Sequence, residues 1–105
     1  MKKKTNITPY DMAEYLKTEE DIAAYFDACL EEAGDDPAFI ARALGDIARA
    51  RGMTQVAKDA GLARESLYKA LSGEGNPEFS TILKVIKALG LKLGAHSADK
   101  DVVTP

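Results

Sequence analysis

Arg64, Glu65, Tyr68 and Lys69 share a short stretch with Leu67, Ala70 and Leu71. On a helix the 3.6-residue period turns those three apolar residues to one side and leaves the four polar ones on the other. Each outward side chain has a chemistry that reads nucleic acid. An arginine donates bidentately to guanine O6 and N7, and a glutamate accepts from a cytosine amino group or steadies a neighbouring arginine. Tyr68 and Lys69 reach a thymine methyl, a base edge or a phosphate. Upstream, Thr54, Gln55 and Lys58 suit phosphate contacts at a helix N-terminus, and Ser72 and Asn76 add to a grip on the backbone. This chemistry is recognition. For catalysis the chain offers Asp35 beside Asp36 and Glu31 beside Glu32, adjacent acids that point apart and have no His or activated Ser to join them. It has no phosphate-cradling glycine motif with a lysine, so no enzyme activity is expected. With one cysteine, Cys29, and one histidine, His96, neither a disulfide nor a zinc site can be assembled, and no metal or other cofactor is expected. Cys29 sits among Asp27, Glu31 and Glu32, which disfavour its thiolate.

The elements that must position these residues are written in residues 53–72, MTQVAKDAGLARESLYKALS. Val56, Ala57 and Ala60 form one small apolar stripe, Gly61 breaks it, and Leu62, Leu67, Ala70 and Leu71 supply a second. That is two short helices and a tight turn. Helices crossing steeply need a small residue at the crossing and a turn that tolerates positive φ, which Ala57 and Gly61 provide. Leu62 and Leu67 would fill the space between the helices. The order of Ala57, Gly61 and Leu67 resembles the DNA-binding helix-turn-helix of phage-repressor-like proteins.

Around this motif the start and stop signals are regular. Thr8 and Pro9 open a short helix through Tyr10, Met12, Tyr15 and Leu16. Thr18 with Asp21 approximates a capping box for a helix over residues 19–33, whose apolar face is Ile22, Tyr25, Phe26, Cys29, Leu30 and Ala33 and whose stop is Gly34. Asp36 and Pro37 start the next, which buries Phe39, Ile40, Ala43, Leu44, Ile47 and Ala48 and ends at Gly52. After a loop over residues 73–77, Ser80 or Pro77 begins a last helix carrying Ile82, Leu83, Ile86 and Leu89, stopped by Gly90. Residues 91–93, Leu-Lys-Leu, alternate like a short strand that either pairs with its copy in a second chain or stays extended. The fold class is therefore all-α, about five helices. Residues 1–36 form an acidic helical extension packed on the domain, residues 37–93 the helix-turn-helix domain, and residues 94–105 a flexible tail; the three lysines near the start read as a solvated end.

Length and composition fit one small folded domain: 105 residues, 46% apolar and 30% charged. No apolar run is long enough to span a membrane and no export signal is evident, so a cytoplasmic protein with no membrane partner is expected. The net charge of −3 hides a division. Residues 1–36 hold four lysines against ten acids, net −6, whereas residues 37–93 hold nine bases against five acids, net +4. Affinity for DNA follows local phosphate neutralisation rather than the whole-chain sum.

The text from Leu44 to Leu93, with Asp11-Met12-Ala13-Glu14-Tyr15-Leu16 and Ala24-Tyr25-Phe26, resembles the HigA-like antitoxins, an addiction-module antidote family. The resemblance implies a homodimer that represses its own operon at an operator of double-stranded DNA. It also implies binding to a RelE/HigB-type toxin, a small messenger-RNA endonuclease encoded beside it. RNA-cleaving toxins are usually basic, so the acidic residues 11–36 would be steered onto one, with Tyr10, Tyr15 and Tyr25 as aromatic anchors. Two other readings stay open: a stand-alone repressor without a toxin, and an interaction module that no longer binds DNA.

Overall fold

The computed structural model describes residues 14–98, so the expected start at Thr8-Pro9, Tyr10 and the last seven residues lie outside the described residues. Five helices follow in chain order: α1 (Glu19–Ala33), α2 (Pro37–Arg51), α3 (Met53–Ala60), α4 (Arg64–Ala70) and α5 (Phe79–Ala88). Glu14 and Tyr15 are also helical. No strand occurs among the described residues, and residues 91–93 have no regular secondary structure.

The caps explain the boundaries. The amide of Asp21 donates to Thr18 Oγ1 at 3.0 Å while the Thr18 amide donates to Asp21 Oδ2 at 3.2 Å, a reciprocal capping box. Glu19, Glu20 and Asp21 place negative charge at the positive end of the α1 dipole. Asp36 accepts from the Phe39 amide at 3.2 Å, and Pro37 takes the first position of α2. Gly52, at φ 110°, both ends α2 and precedes α3, so these helices are joined through one residue.

The joint between α3 and α4 is a Schellman turn: the Gly61 amide donates to Lys58 O at 3.1 Å and the Leu62 amide to Ala57 O at 2.9 Å. Gly61 sits at φ 72°, ψ 33°, the left-handed conformation that its missing Cβ permits. The end of α5 repeats the device with Gly90 and Leu91. The last helix starts from Glu78, and Ser80 lies inside it with its hydroxyl directed to Glu78 Oε1 rather than capping.

One apolar cluster joins all five helices. It takes Ile22 and Phe26 from α1, Leu44 and Ile47 from α2, Val56 and Ala57 from α3, Leu67 from α4 and Val85 and Ile86 from α5. Among the described residues no polar or charged side chain is buried. Helix α3 is central, packing on α2, α4 and α5, while α1 packs on α2. Several expected core residues lie farther out: Phe39, Ile40 and Leu62 are half-buried, and Leu83 is exposed. In α5 the period gathers Ile82, Val85, Ile86 and Leu89 on one arc and leaves Leu83 beyond its edge, so Val85, fully buried, takes the central place. Two small residues of α2, Ala41 and Gly45, are buried. A Cβ built on Gly45 would stand 2.9 Å from the carbonyl oxygen of Leu71, so this glycine lets the end of α4 close on α2. Gly45→Val is expected to cost about 1–3 kcal/mol by overpacking, read as a lower urea midpoint with an unchanged m-value. Gly61→Ala adds no clash but forces an L-residue into the left-handed region, and should cost about 1–2 kcal/mol in the same measurement.

Candidate nucleic-acid interface

Helix α4 is seven residues long and has no side-chain N-cap, since Ala63 precedes it. A missing cap costs about 1 kcal/mol, and complete burial of a leucine returns about 1.5–3 kcal/mol. Leu67 is fully buried and Leu71 nearly so, and these two contacts hold the helix in place. The opposite side is open to solvent: Arg64, Glu65, Tyr68 and Lys69 are all exposed, as the period requires. Ser66 is exposed as well. Its place between Glu65 and the inward Leu67 is the sequence signal for this outward position, and its hydroxyl can pair with base edges or phosphates.

Arg64 is held by Tyr68, one turn on, and not by Glu65. Its guanidinium carbon lies 5.3 Å from the Tyr68 ring centroid, and Nη2 donates to the phenol oxygen at 3.2 Å. A cation–π contact at an exposed site is worth about 0.5–1 kcal/mol, enough to bias the side chain toward one orientation while its other donors stay available.

Thr54, Gln55 and Lys58 are exposed on one side of α3, with Thr54 and Gln55 in its first turn. Gln55 Nε2 donates to Asp59 Oδ1 at 2.8 Å, which ties that amide along the helix. Ser72 is half-buried and builds the turn after α4: its hydroxyl donates to Lys69 O at 3.0 Å and accepts from the Glu74 amide at 3.1 Å. Asn76 is exposed in the following loop.

The three tyrosines considered as anchors do not form one patch. Tyr10 is outside the described residues, Tyr15 is 61% exposed, and Tyr25 is half-buried with its hydroxyl engaged by Cys29. Burial, then the nearby Cys29 and Asp46, drives the Tyr25 phenol well above its ordinary range. Tyr25 also lines a pocket of about 220 Å³ with Arg42, Asp46, Arg49 and Leu71. There Asp46 accepts from Arg49 Nη1 at 3.4 Å. Burial raises the Asp46 carboxyl above its ordinary value, and the attraction of Arg49 and Arg42 offsets this only in part.

Charge is divided in space as in sequence. Helix α1 has six acids and no base. Helix α4 has Arg64 and Lys69 against Glu65.

Residues 6–97 match the sequence profile of a family described as probable addiction module antidote proteins. The chain belongs to that family. The match takes in all five helices, so the antidote profile spans the acidic α1 as well as the α3–α4 pair. A relative from Haemophilus influenzae (strain ATCC 51907 / DSM 11121 / KW20 / Rd), described as an uncharacterized protein, is 57% identical over 83 residues. That alignment covers 79% of this chain and 84% of the relative. No solved structure matches the chain. Among the described residues no helix is long and apolar enough to cross a membrane, and no group of three or more His, Cys, Asp or Glu side chains is placed to hold a metal ion.

The raised Asp46 carboxyl makes stability depend on pH. A proton binds it more tightly in the folded than in the unfolded chain, so its favourable contribution is complete below the ordinary value of 3.8 and is lost as pH rises through the higher folded value. The stability of the antidote relative to its Asp46→Asn variant should therefore fall across that window and level off above it, as read from urea midpoints of both proteins over a pH series.

Proposed function

We propose that this antidote is the antitoxin of a type II toxin–antitoxin module, HigA-like in its helix-turn-helix, and that it acts in the cytoplasm on two partners. It binds and neutralises a RelE/HigB-type toxin, and as a homodimer it represses its own operon. The observation that carries the DNA half is the outer face of α4, where Arg64 is oriented by Tyr68 at the exposed N-terminal turn of a helix anchored through Leu67.

In this reading α4 enters the major groove N-terminus first. Arg64 takes guanine O6 and N7, Glu65 accepts from a cytosine amino group, and Tyr68 and Lys69 reach a thymine methyl, a neighbouring base edge or a phosphate. The amides at the start of α3, with Thr54, Gln55 and Lys58, hold a phosphate. Ser72 acts mainly by shaping the turn that carries Asn76 to the backbone. Two subunits would read an inverted repeat with half-sites about 34–36 Å apart. Dimerisation is supported by Phe79, 67% exposed, and Leu83, 41% exposed, one turn apart on α5.

The toxin half rests on family membership and on the acidic residues 1–36, which would steer a basic partner. Tyr15, exposed beside them, is its aromatic anchor; Tyr25 is engaged by Cys29 and contributes through the core-facing side of α1.

Gel shifts on the DNA upstream of the gene test the first half. Arg64→Ala should weaken binding by about 1–3 kcal/mol and relax preference at one base pair. Lys69→Ala should weaken all sequences alike and flatten the salt dependence by about one counterion. Unchanged binding in both variants at moderate salt would show that α4 is not the reading helix. Co-expression with the product of the adjoining reading frame tests the second half, scored by co-purification and by rescue of growth. Growth arrest that the antidote does not relieve, together with intact operator binding, would leave a stand-alone repressor.

A further inference from the structure

After the turn at Gly90, residues 91–97 pass α1 without helix or strand, and the segment encloses with α1 a groove of about 660 Å³. Its apolar lining includes Leu30, Leu91 and Leu93, of which Leu93 is 42% exposed. On the α1 side Ala23, Ala24, Asp27 and Glu31 line it at i, i+1, i+4 and i+8 and are all exposed, so two alanines leave the wall low and two acids stand along it. Among the described residues the ion pairs are Lys17 with Glu14 and Arg49 with Asp46, so neither of these two acids is paired. On the other side, residues 92–96 make no backbone hydrogen bond among the described residues, which leaves a row of amide donors and carbonyl acceptors beside the groove.

We infer that this groove is the docking site for a basic, extended segment of the toxin, whose backbone adds along residues 92–96 and whose lysines or arginines meet Asp27 and Glu31. The inference rests on the antidote reading and names the surface through which it works. Charge selects the occupant. The chain's own last residues carry Asp99 and Asp101 against one lysine and so meet Asp27 and Glu31 with like charge, as would the acidic α1 of a second copy. A basic segment meets them with opposite charge, and Lys92 and His96 across the groove leave the α1 wall dominant. The mode of contact is strand addition, in which backbone pairing supplies affinity and alternate side chains enter apolar pockets.

The test uses the full chain and the purified product of the adjoining reading frame, with affinity measured by calorimetry at about 0.15 M salt. Asp27→Lys with Glu31→Lys should weaken binding on the order of tenfold or more and reduce its salt dependence, and Leu93→Asp should weaken it comparably. All three positions are exposed, so operator gel shifts and thermal midpoints of the variants should match the parent. Unchanged affinity in both variants, with the parent binding well, overturns the groove while the antidote reading stands. Failure of the parent to bind overturns both. A change in the oligomeric state of the variants, or a loss of thermal stability on removing residues 99–105, with partner affinity unchanged, assigns the groove to a second copy or to the tail and overturns the inference.

Discussion

Helix α3 is eight residues long, and a helix of that length does not persist in water by itself. It is helical here because Val56 and Ala57 are pressed among α2, α4 and α5 at once. The seven-residue α4 depends on it in turn, through the Schellman turn and the burial of Leu67. Neither helix has a side-chain cap, so tertiary packing replaces local capping in the part of the molecule that presents Arg64 and Lys69. The longer helices α1 and α2 have caps of their own, and they form the support against which the short ones are assembled.

This difference governs what could be read from the sequence. Thr18 with Asp21 and Asp36 with Pro37 act on backbone groups within three residues, so the starts of α1 and α2 were legible as local chemistry. Gly61 was legible for a related reason: only a residue at ease with positive φ allows two helices to join so closely. Gly45 was not, because its role is to leave room for the Leu71 carbonyl, a neighbour twenty-six positions away that no local pattern announces. The rotation of α5 that buries Val85 and exposes Leu83 is set by what α3 offers as a partner, and periodicity alone does not choose between adjacent apolar residues. On α4 the outward residues followed from the period, whereas the pairing of Arg64 with Tyr68 was one of several geometries open to an arginine.

The separation of charge has a structural counterpart in the core. No polar or charged side chain is buried among the described residues, so the interior distinguishes one arrangement from another chiefly by shape. Small residues carry much of that discrimination: Ala41 and Gly45 on α2, Ala57 and Ala60 on α3. The charged residues are left on the surface, where they sort into an acidic α1 and a more basic α4, two faces suited to partners of opposite sign.

The single-residue junction at Gly52 limits how the length of this chain can vary. One residue added there would turn α3 by about 100° about its axis and carry Val56 and Ala57 out of the core. The loop between α4 and α5 has no such restriction: Glu74, Gly75 and Asn76 are exposed, and added residues there would extend into solvent. Related chains of unequal length are thus expected to place their insertions after α4, with the distance from Asp36 to Leu71 held constant.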